Sequence, residues 1–568
     1  MTKPTNYPTI PLSYPITKKV EHTDTYGDVA IRDDFHWLED DNAEETKDWV
    51  TAQNEVTFGY LAQIPFRKAF AERMTELVNY PRIGAPSKVG DYYIWSKNDG
   101  LQNQSVYYYK KGEDGEEQVF MDPNTMNEEG TTAIGLLGAD KNDRYMAYRR
   151  SEAGSDWGKI YVRDMKTNTD LEDELEWVKF GGAGWYNDGF FYSRYPAPKE
   201  GEALKGNNLM HSVYYHKLGT PQSEDQLIYE DKANPTFYHY GGTTEEEDYF
   251  VMYAAPGTDG YALYYLPLDG KNLPSQQPIA LFPETTQKSS VVHNEGNDFW
   301  IMTDVDAPNY RLVKINLDRP GQEHWTEIIP EGDNLLAGVN TGGGYLFANY
   351  LEKATARWYQ LEYDGTGRQE IQLPGLGNAG GFSGEKDEKK LYYGFTSFTY
   401  PYTIFEYDVE TGESRPFFQP NLKFEPTDFE ESQVTYTSKD GTPVTMFLVH
   451  KKGLKAMANL RGGGEYGEEW HRAGMLKNKQ NVFDDFIAAG EWLISAGYTN
   501  KDKLGIAGGS NGGLLVGAAM TQRPDLFAVA FPAVGVMDML RYHKFTVGKG
   551  WIPEYGSSED PDDPLQND

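Results

Sequence analysis

Leu504-Gly505-Ile506-Ala507-Gly508-Gly509-Ser510-Asn511-Gly512-Gly513-Leu514-Leu515-Val516-Gly517 is the stretch on which the fold turns. A short apolar run enters Gly508-x-Ser510-x-Gly512, and Ala518, Ala519 and Met520 carry a small-residue helix on until Pro524 stops it. Strand, tight turn and helix in that order form a nucleophile elbow, in which the serine is held strained and its flanking positions are tiny so that strand and helix can cross. The pattern predicts that Oγ of Ser510 points out above the sheet and that the N–H of Asn511, at the helix N-terminus, is open to an oxyanion. A Gly-rich turn with a solvent-facing serine is the plainer alternative, and the strand before and helix after weigh against it.

Upstream of Ser510 the chain reads as an α/β domain. Val434–Tyr436 and Val444–Val449 are strands joined by the Lys439-Asp440-Gly441 turn, Ala456–Leu460 is another, and a helix runs from Asp484 to Ala496 before the elbow strand. Alternation of strands and helices implies a mostly parallel sheet, with the site at the carboxyl ends of its strands. Arg461-Gly462-Gly463-Gly464-Glu465-Tyr466-Gly467 formally satisfies G-x-G-x-x-G after a strand. No clear helix opens there and only Asp484 approximates the acidic partner, so a Gly-rich loop beside a hydrolase cleft is the better reading than a dinucleotide site.

From Tyr92 to Asp408 the texture is short aromatic or β-branched runs separated by Gly, Asp, Asn and Pro. They fall into pairs: Tyr92–Trp95 with Val106–Tyr109, Tyr145–Tyr148 with Ile160–Val162, Phe190–Tyr192 with Val213–Tyr215, and Tyr249–Tyr253 with Ala262–Leu266. Phe299–Met302 with Arg311–Ile315, Tyr345–Tyr350 with Trp358–Leu361, and Leu391–Phe395 with Ile404–Tyr407 complete seven. First members recur about every 50 residues, which favours a seven-bladed β-propeller over an array of sandwiches. Polar ends such as Val162-Arg163-Asp164 and Tyr407-Asp408-Val409 are expected to be blade-to-blade hairpins. Before the propeller, Ala43 to about Tyr80 reads as one or two amphipathic helices, with Trp49, Val56, Tyr60, Leu61, Phe70, Met74 and Leu77 at helical spacing, an arm that needs a larger partner.

A chain of 568 residues is too long for one core. The predicted division is a helical arm over 1–80, a propeller over 81–425 and a hydrolase domain over 426–568. A net charge of −34 repels phosphate and so opposes nucleic-acid or anionic-membrane partners. No cysteine is present, which excludes disulfides and thiolate metal sites. The ten histidines show no H-E-x-x-H and no pairing with carboxylates, so neither a metal nor another cofactor is expected, and His36, His450 and His471 are read as structural. Met1-Thr2-Lys3-Pro4-Thr5-Asn6-Tyr7-Pro8 has no apolar core and no later run is long enough to span a bilayer, so the expectation is a soluble, cytoplasmic monomer.

Four further stretches carry a resemblance: Asn459-Leu460-Arg461-Gly462-Gly463-Gly464-Glu465-Tyr466-Gly467-Glu468-Glu469-Trp470-His471, Asn478–Phe486, Gly508–Leu515 and Met539–Thr546. With Trp37-Leu38-Glu39-Asp40 and Asp306–Leu312 they resemble the prolyl oligopeptidases, serine peptidases that cut short peptides after proline. The resemblance implies a seven-bladed propeller over an α/β-hydrolase domain built from both chain ends, so the arm is expected to pack on residues 430–568. It implies that Ser510 is the nucleophile, the Asn511 amide one oxyanion donor, and Trp551 the indole on which the substrate proline stacks, with Tyr555 and Val536 lining that pocket. A flat aromatic face suits an apolar pyrrolidine, and a pocket without a carboxylate has no preference for Lys or Arg. Gly509-Ser510-Asn511 stands where relatives that prefer basic residues carry Arg-Ser-Ala.

Two departures accompany it. Only Leu454-Lys455-Ala456-Met457 lies between the His450-Lys451-Lys452-Gly453 strand end and the Ala458-Asn459-Leu460-Arg461 strand. In the family this interval is longer and holds a sheet strand and a tyrosine that is the second oxyanion donor. The family also takes its triad Asp and His beyond residue 568, and His543 in the Met539–Thr546 run is not its base. An incomplete hydrolase domain is therefore expected, with little turnover by these 568 residues alone. The competing reading is an inactive fragment or a propeller-based binding protein with a vestigial serine.

Overall fold

Between Arg82 and Phe418 the chain lays down seven antiparallel sheets one after another, each from its own contiguous stretch. The computed structural model describes residues 13–26, 29–203, 206–451 and 454–560; the opening Met1–Pro8 and the junction residues Lys452 and Gly453 lie outside them. Blade 1 spans Arg82–Met121, blade 2 Ala133–Val178, blade 3 Gly184–Tyr229, blade 4 Tyr238–Phe282, blade 5 Ser289–Ile329, blade 6 Leu335–Ile371 and blade 7 Asn378–Phe418. All seven strand pairs predicted from the aromatic runs are hydrogen-bonded neighbours and are inner pairs of their blades.

The aromatic runs are strands because stacked sheets bury them from both sides. Gly189–Arg194 is buried at its first five positions, and Phe190 packs with Trp185 on Ile160 and Val162 of blade 2. On the other side Phe191 stacks on Phe250 of blade 4 at 4.4 Å. Buried apolar clusters of this kind fill every junction from blade 1–2 to blade 6–7. The outer strands escape sequence reading because water covers much of each: Ser414–Phe418 is exposed along nearly its whole length, and Gln118–Met121 is buried only at its last two residues. One expectation is corrected. Val162-Arg163-Asp164 ends a strand whose hairpin returns at Thr169 in the same blade, and Tyr407-Asp408-Val409 likewise leads to Ser414 in blade 7. These polar turns join the third and fourth strands of one blade and do not connect blades.

The closing junction differs from the other six. Among the described residues no strand from the far end of the chain completes blade 1, and polar side chains bridge blades 7 and 1. Lys390 Nζ lies 3.0 Å from Glu113 there, and a cavity of about 540 Å³ is lined by Tyr93, Lys110, Glu113, Tyr392 and Arg415.

After the propeller, strands Glu430–Thr437, Pro443–His450 and Leu454–Ala458 form an antiparallel sheet. The links between them are too short for any other arrangement, since a parallel neighbour needs a crossover of a dozen residues or more. Among the described residues the predicted mostly parallel sheet is thus realised only by Gly505–Gly509 and Val529–Ala533, which pair in parallel from Gly505↔Val529 to Gly509↔Ala533. These two sheets are not hydrogen-bonded to each other. Strands Leu454–Ala458 and Gly505–Gly509 line one cleft of about 470 Å³, floored by Phe486, Ala489 and Leu493 of the helix that follows the first sheet.

The chain divides into two compact units, Met1–Tyr80 with Ser557–Asp568, and Pro81–Gly556. In the first, a hairpin of Thr23–Tyr26 and Val29–Arg32 precedes helices α1 (Glu44–Ala62) and α2 (Arg67–Val78), separated near Pro65. Acidic Glu44 and Glu45 in the first turn of α1 complement its dipole. In the second unit α3 (Glu468–Arg472) and α4 (Lys479–Ser495) follow the antiparallel sheet, α5 (Asn511–Gln522) follows the elbow strand, and α6 (Ile552–Tyr555) is a single turn. Among the described residues no helix is long and apolar enough to cross a membrane.

Candidate active site

Ser510 sits at φ 56° and ψ −120°, between the strand Gly505–Gly509 and α5. For a residue with a Cβ this is strained backbone, and it persists because neighbours fix it from both sides. Ser510 N donates to Ala533 O at 3.0 Å, and its carbonyl accepts from the N–H groups of Gly513 and Leu514 at 2.8 and 3.2 Å. The side chain is left exposed at the strand end. Asn511, the first residue of α5, has an N–H that no intrahelical carbonyl takes, and the positive end of the helix dipole lies at the same point.

The tight packing around the turn is displaced by one residue from the motif. A Cβ on Gly508 would stand 2.3 Å from Gly512 O, as predicted, but a Cβ on Gly512 would meet nothing within 4 Å. The crowded position is Gly513, where a Cβ would lie 2.5 Å from Ala533 O and 2.7 Å from Gly535 Cα. The neighbouring parallel strand and the chain leaving it press on the second glycine, and the first of the pair is open.

One turn after Ser510, on the same helix face, Leu514 is buried in a cluster with Tyr542 and Tyr555. Val536, Met539, Phe483, Ile552 and Trp551 pack on it. The structure therefore gathers Trp551, Tyr555 and Val536 against the helix that begins at Ser510. The Trp551 indole stacks on the Tyr542 ring at 6.3 Å with a 20° interplanar angle, and Tyr555 meets Tyr542 edge-on at 5.5 Å. Burial pushes the Tyr555 hydroxyl up to about 12, so it is un-ionised at neutral pH.

Propeller loops hold the segment that carries Trp551. Asn208 N donates to Thr546 O at 3.2 Å, the Tyr238 hydroxyl to Val547 O at 3.3 Å, and Thr258 N to Gly550 O at 3.0 Å. A Cβ on Gly550 would clash with the Tyr238 ring, and one on Gly257 would clash with Gly550 O and Pro553, which is why the two chains approach so closely. These contacts were not legible in the sequence; they join residues about 300 positions apart and leave no local signal.

The Arg461–Gly467 loop is held by a buried ion pair. Asp485 of α4 is fully buried and accepts from Arg461 N, Nε and Nη2, with Ser438 Oγ as a further donor. Gly462 and Gly467 both have φ near +85°, where a side chain would be strained. The motif thus serves a loop anchor.

His450 is half-exposed beside Glu430, and His36 is stacked on His22 at 3.7 Å. His471 lies between Glu468 and Glu554. His543 is buried, 1% exposed. Sequence spacing showed no His–carboxylate sets, yet folding assembles three among the described residues: His22, Asp24 and His36; Asp33, His36 and Glu39; and Asp259, Glu468 and His471. In the last, the Lys288 ammonium already bonds both carboxylates, at 2.9 Å to Asp259 and 2.7 Å to Glu468.

Known proteins match this chain along nearly its whole length. Residues 14–420 match the prolyl oligopeptidase N-terminal beta-propeller domain, and residues 443–567 match the prolyl oligopeptidase family. A prolyl endopeptidase of Elizabethkingia meningoseptica is 45% identical over 97% of this chain and 82% of the relative, and prolyl oligopeptidase A of Galerina marginata is 33% identical over 99% and 87%. The Elizabethkingia alignment spans 587 positions, more than the 568 residues here, so that relative has internal residues without a counterpart. Among solved structures, one from a study of two prolyl endopeptidases is 34% identical with a TM-score of 0.91, covering 97% of this chain and 86% of that one. Prolyl oligopeptidase B of Galerina marginata, bound to a 25-residue macrocyclization substrate, is 31% identical with a TM-score of 0.91 over the same shares.

Proposed function

The chain belongs to the prolyl oligopeptidase family, and we propose that it is a serine endopeptidase cutting oligopeptides on the carboxyl side of proline, through an acyl-enzyme on Ser510. The observation that carries this reading is the strained Ser510, at φ 56°, one helical turn from a leucine packed in the Trp551–Tyr555 cluster. A proline ring stacked on Trp551 and bordered by Tyr555 and Val536 would bring that proline's own carbonyl to the Ser510 hydroxyl. Attack forms the Oγ–C bond, and the carbonyl oxygen takes up negative charge that the Asn511 N–H and the α5 dipole are placed to stabilise. Collapse of the adduct expels the amine of the downstream peptide, and water then releases the proline-terminated product.

The serine proton has to go to a base and from it to the departing amine. His471 is not that base, because its hydrogen bonds to Glu468 and then Glu554 push its pKa up to about 9 and leave it protonated at neutral pH. The pocket's selectivity for proline is apolar: Leu514, Val536 and Ile552 pack in one cluster with the indole. The reading extends to a monomer in the cytoplasm acting on short proline-containing peptides, without cofactor, metal or nucleic acid. The charge of −34 supports the monomer and the exclusion of nucleic acid, since it keeps copies apart and repels polyanions.

The test is covalent labelling of the 568-residue chain by a fluorophosphonate, located by peptide mass, together with hydrolysis of a blocked Gly-Pro p-nitroanilide against its Gly-Ala analogue. Labelling at Ser510, its loss in Ser510→Ala, and slow turnover that favours Gly-Pro are expected. Label on another residue, or turnover undiminished in Ser510→Ala, overturns the assignment.

A further inference from the structure

Acidic and basic side chains form an unbroken chain from the propeller to the pocket. Lys288, just ahead of the first strand of blade 5, places Nζ 2.7 and 2.8 Å from the two oxygens of Glu468 and 2.9 Å from Asp259 in blade 4. The Tyr310 hydroxyl of blade 5 donates to Glu468 at 2.8 Å. Glu468 opens α3, and three residues on His471 turns Nδ1 toward it at 3.5 Å and toward Asp259 at 3.9 Å. Nε2 of His471 faces Glu554 at 3.2 Å, and the other Glu554 oxygen takes Lys479 of α4 at 2.7 Å. Every ionic side chain in the series is one-fifth exposed or less.

Charge balance singles out the imidazole. Asp259, Glu468, Glu554 and Asp304, which faces Glu468 and Lys288, bring four negative charges, while Lys288, Lys479 and Arg472 bring three positive ones. A neutral His471 leaves one unpaired charge in a mostly buried cluster, and a protonated His471 cancels it. The far end of the series is Glu554, set between Trp551 and Tyr555 on α6. A helix of four residues cannot fix its own direction, so its orientation comes from the groups that hold it.

We infer that His471 is a positioning residue for the proline pocket: as an imidazolium it ties Glu468, which the propeller grips through Lys288 and Tyr310, to Glu554, and so sets the angle at which Trp551 meets the substrate ring. The inference rests on the pocket reading above. Its consequence is that proline selectivity is controlled from the propeller side through one proton. Between pH 7 and 10 that proton is lost, since Glu468 and Glu554 hold His471 up to about 9. Lys288 keeps its charge there, because its hydrogen bonds to Glu468 and Asp259 outweigh the burial that opposes it. Burial and Glu468 together raise Tyr310, which stays protonated.

The test measures calorimetric binding of benzyloxycarbonyl-glycyl-proline and of its glycyl-alanine analogue to the full chain at pH 7 and pH 10. Trp551→Ala at pH 7 checks the pocket itself, and should erase the preference for proline. His471→Gln is expected to cut the preference about tenfold at pH 7, and the wild-type chain should lose as much on going to pH 10, with a midpoint near 9. His471→Lys restores a cation and should recover the preference and hold it at pH 10. A wild-type preference that does not change with pH, or a His471→Gln chain that selects proline as well as wild type while Trp551→Ala does not, overturns the inference and leaves the pocket standing. If Trp551→Ala keeps the preference, the pocket reading fails and the inference falls with it. The wild-type pH series and His471→Lys decide the matter even where His471→Gln folds poorly.

Discussion

Replacing Asp485 by Ala tests the anchor under the Gly-rich loop. The carboxylate is fully buried and takes three hydrogen bonds from Arg461 and one from Ser438. Removing one member of a buried pair costs about 3–5 kcal/mol, because the other charge stays behind unpaired. Arg461 retains Asp440, whose side chain is 46% exposed and therefore a weaker partner, so the expected cost is at the lower end, about 3 kcal/mol. Ser438→Ala removes one neutral donor and should cost about 1 kcal/mol. The assay is native-state hydrogen exchange read by mass spectrometry on peptides of α4, with the propeller blades as an internal reference. A loss of 3 kcal/mol speeds exchange in α4 about a hundredfold and leaves blade 4 unchanged. A paired replacement, Arg461→Met with Asp485→Leu, should exchange more slowly than Asp485→Ala, since no orphaned charge remains. An acceleration below about fivefold in Asp485→Ala, or a double variant as labile as the single, would refute the reasoning that the pair is held by mutual compensation.

His216 of blade 3 is buried between Asp173 at 2.9 Å and Asp225 at 2.7 Å. Although burial opposes its charge, hydrogen bonds to Asp173 and Asp225 raise its pKa to about 9, so its contribution to stability is fully present below about pH 6.5 and disappears as pH rises through 9. The thermal midpoint of the wild-type chain should therefore fall between pH 6.5 and 9.5 by more than that of His216→Gln, and equal slopes would contradict it. Met457, 45% exposed on the strand Leu454–Ala458, stands on an edge that no strand among the described residues covers, and such edges invite pairing with other copies. Met457→Lys should lower light scattering at high concentration without moving the thermal transition; scattering that persists unchanged would point to another surface. Gly513→Ala forces a Cβ to 2.5 Å from Ala533 O, and should abolish fluorophosphonate labelling, whereas Gly512→Ala, with open space around it, should keep the label. Labelling lost equally in both would mean that the motif's own spacing, and not the packing described, governs the elbow.

The elbow and the inner blade strands were legible because their information is local. Phe190–Tyr192 and Val213–Tyr215 announce themselves by apolar runs between turns, since both faces of those strands are buried. Gly508 and Ser510 announce the turn because the first position has no room for a Cβ and the second holds a strained backbone. Trp551, Tyr555 and Val536 were named through resemblance alone; nothing in their spacing says that they meet Leu514. The outer strands of each blade were invisible, since an exposed edge strand such as Ser414–Phe418 needs no apolar pattern.

The sequence by itself determined that the chain builds seven repeated sheets, then a strand, a sharp serine turn and a helix, because backbone propensity and burial act over a few residues. Only the tertiary structure decided the rest: that blades 1 and 7 meet through polar side chains, that the two hydrolase sheets face one cleft without joining, and that His471 stands between Glu468 and Glu554. Those relations depend on charges and edges brought together from up to 277 positions apart, as in Lys390 and Glu113. A pairing over such distances imposes no periodicity on the chain between, and becomes visible only when folding has closed the loop.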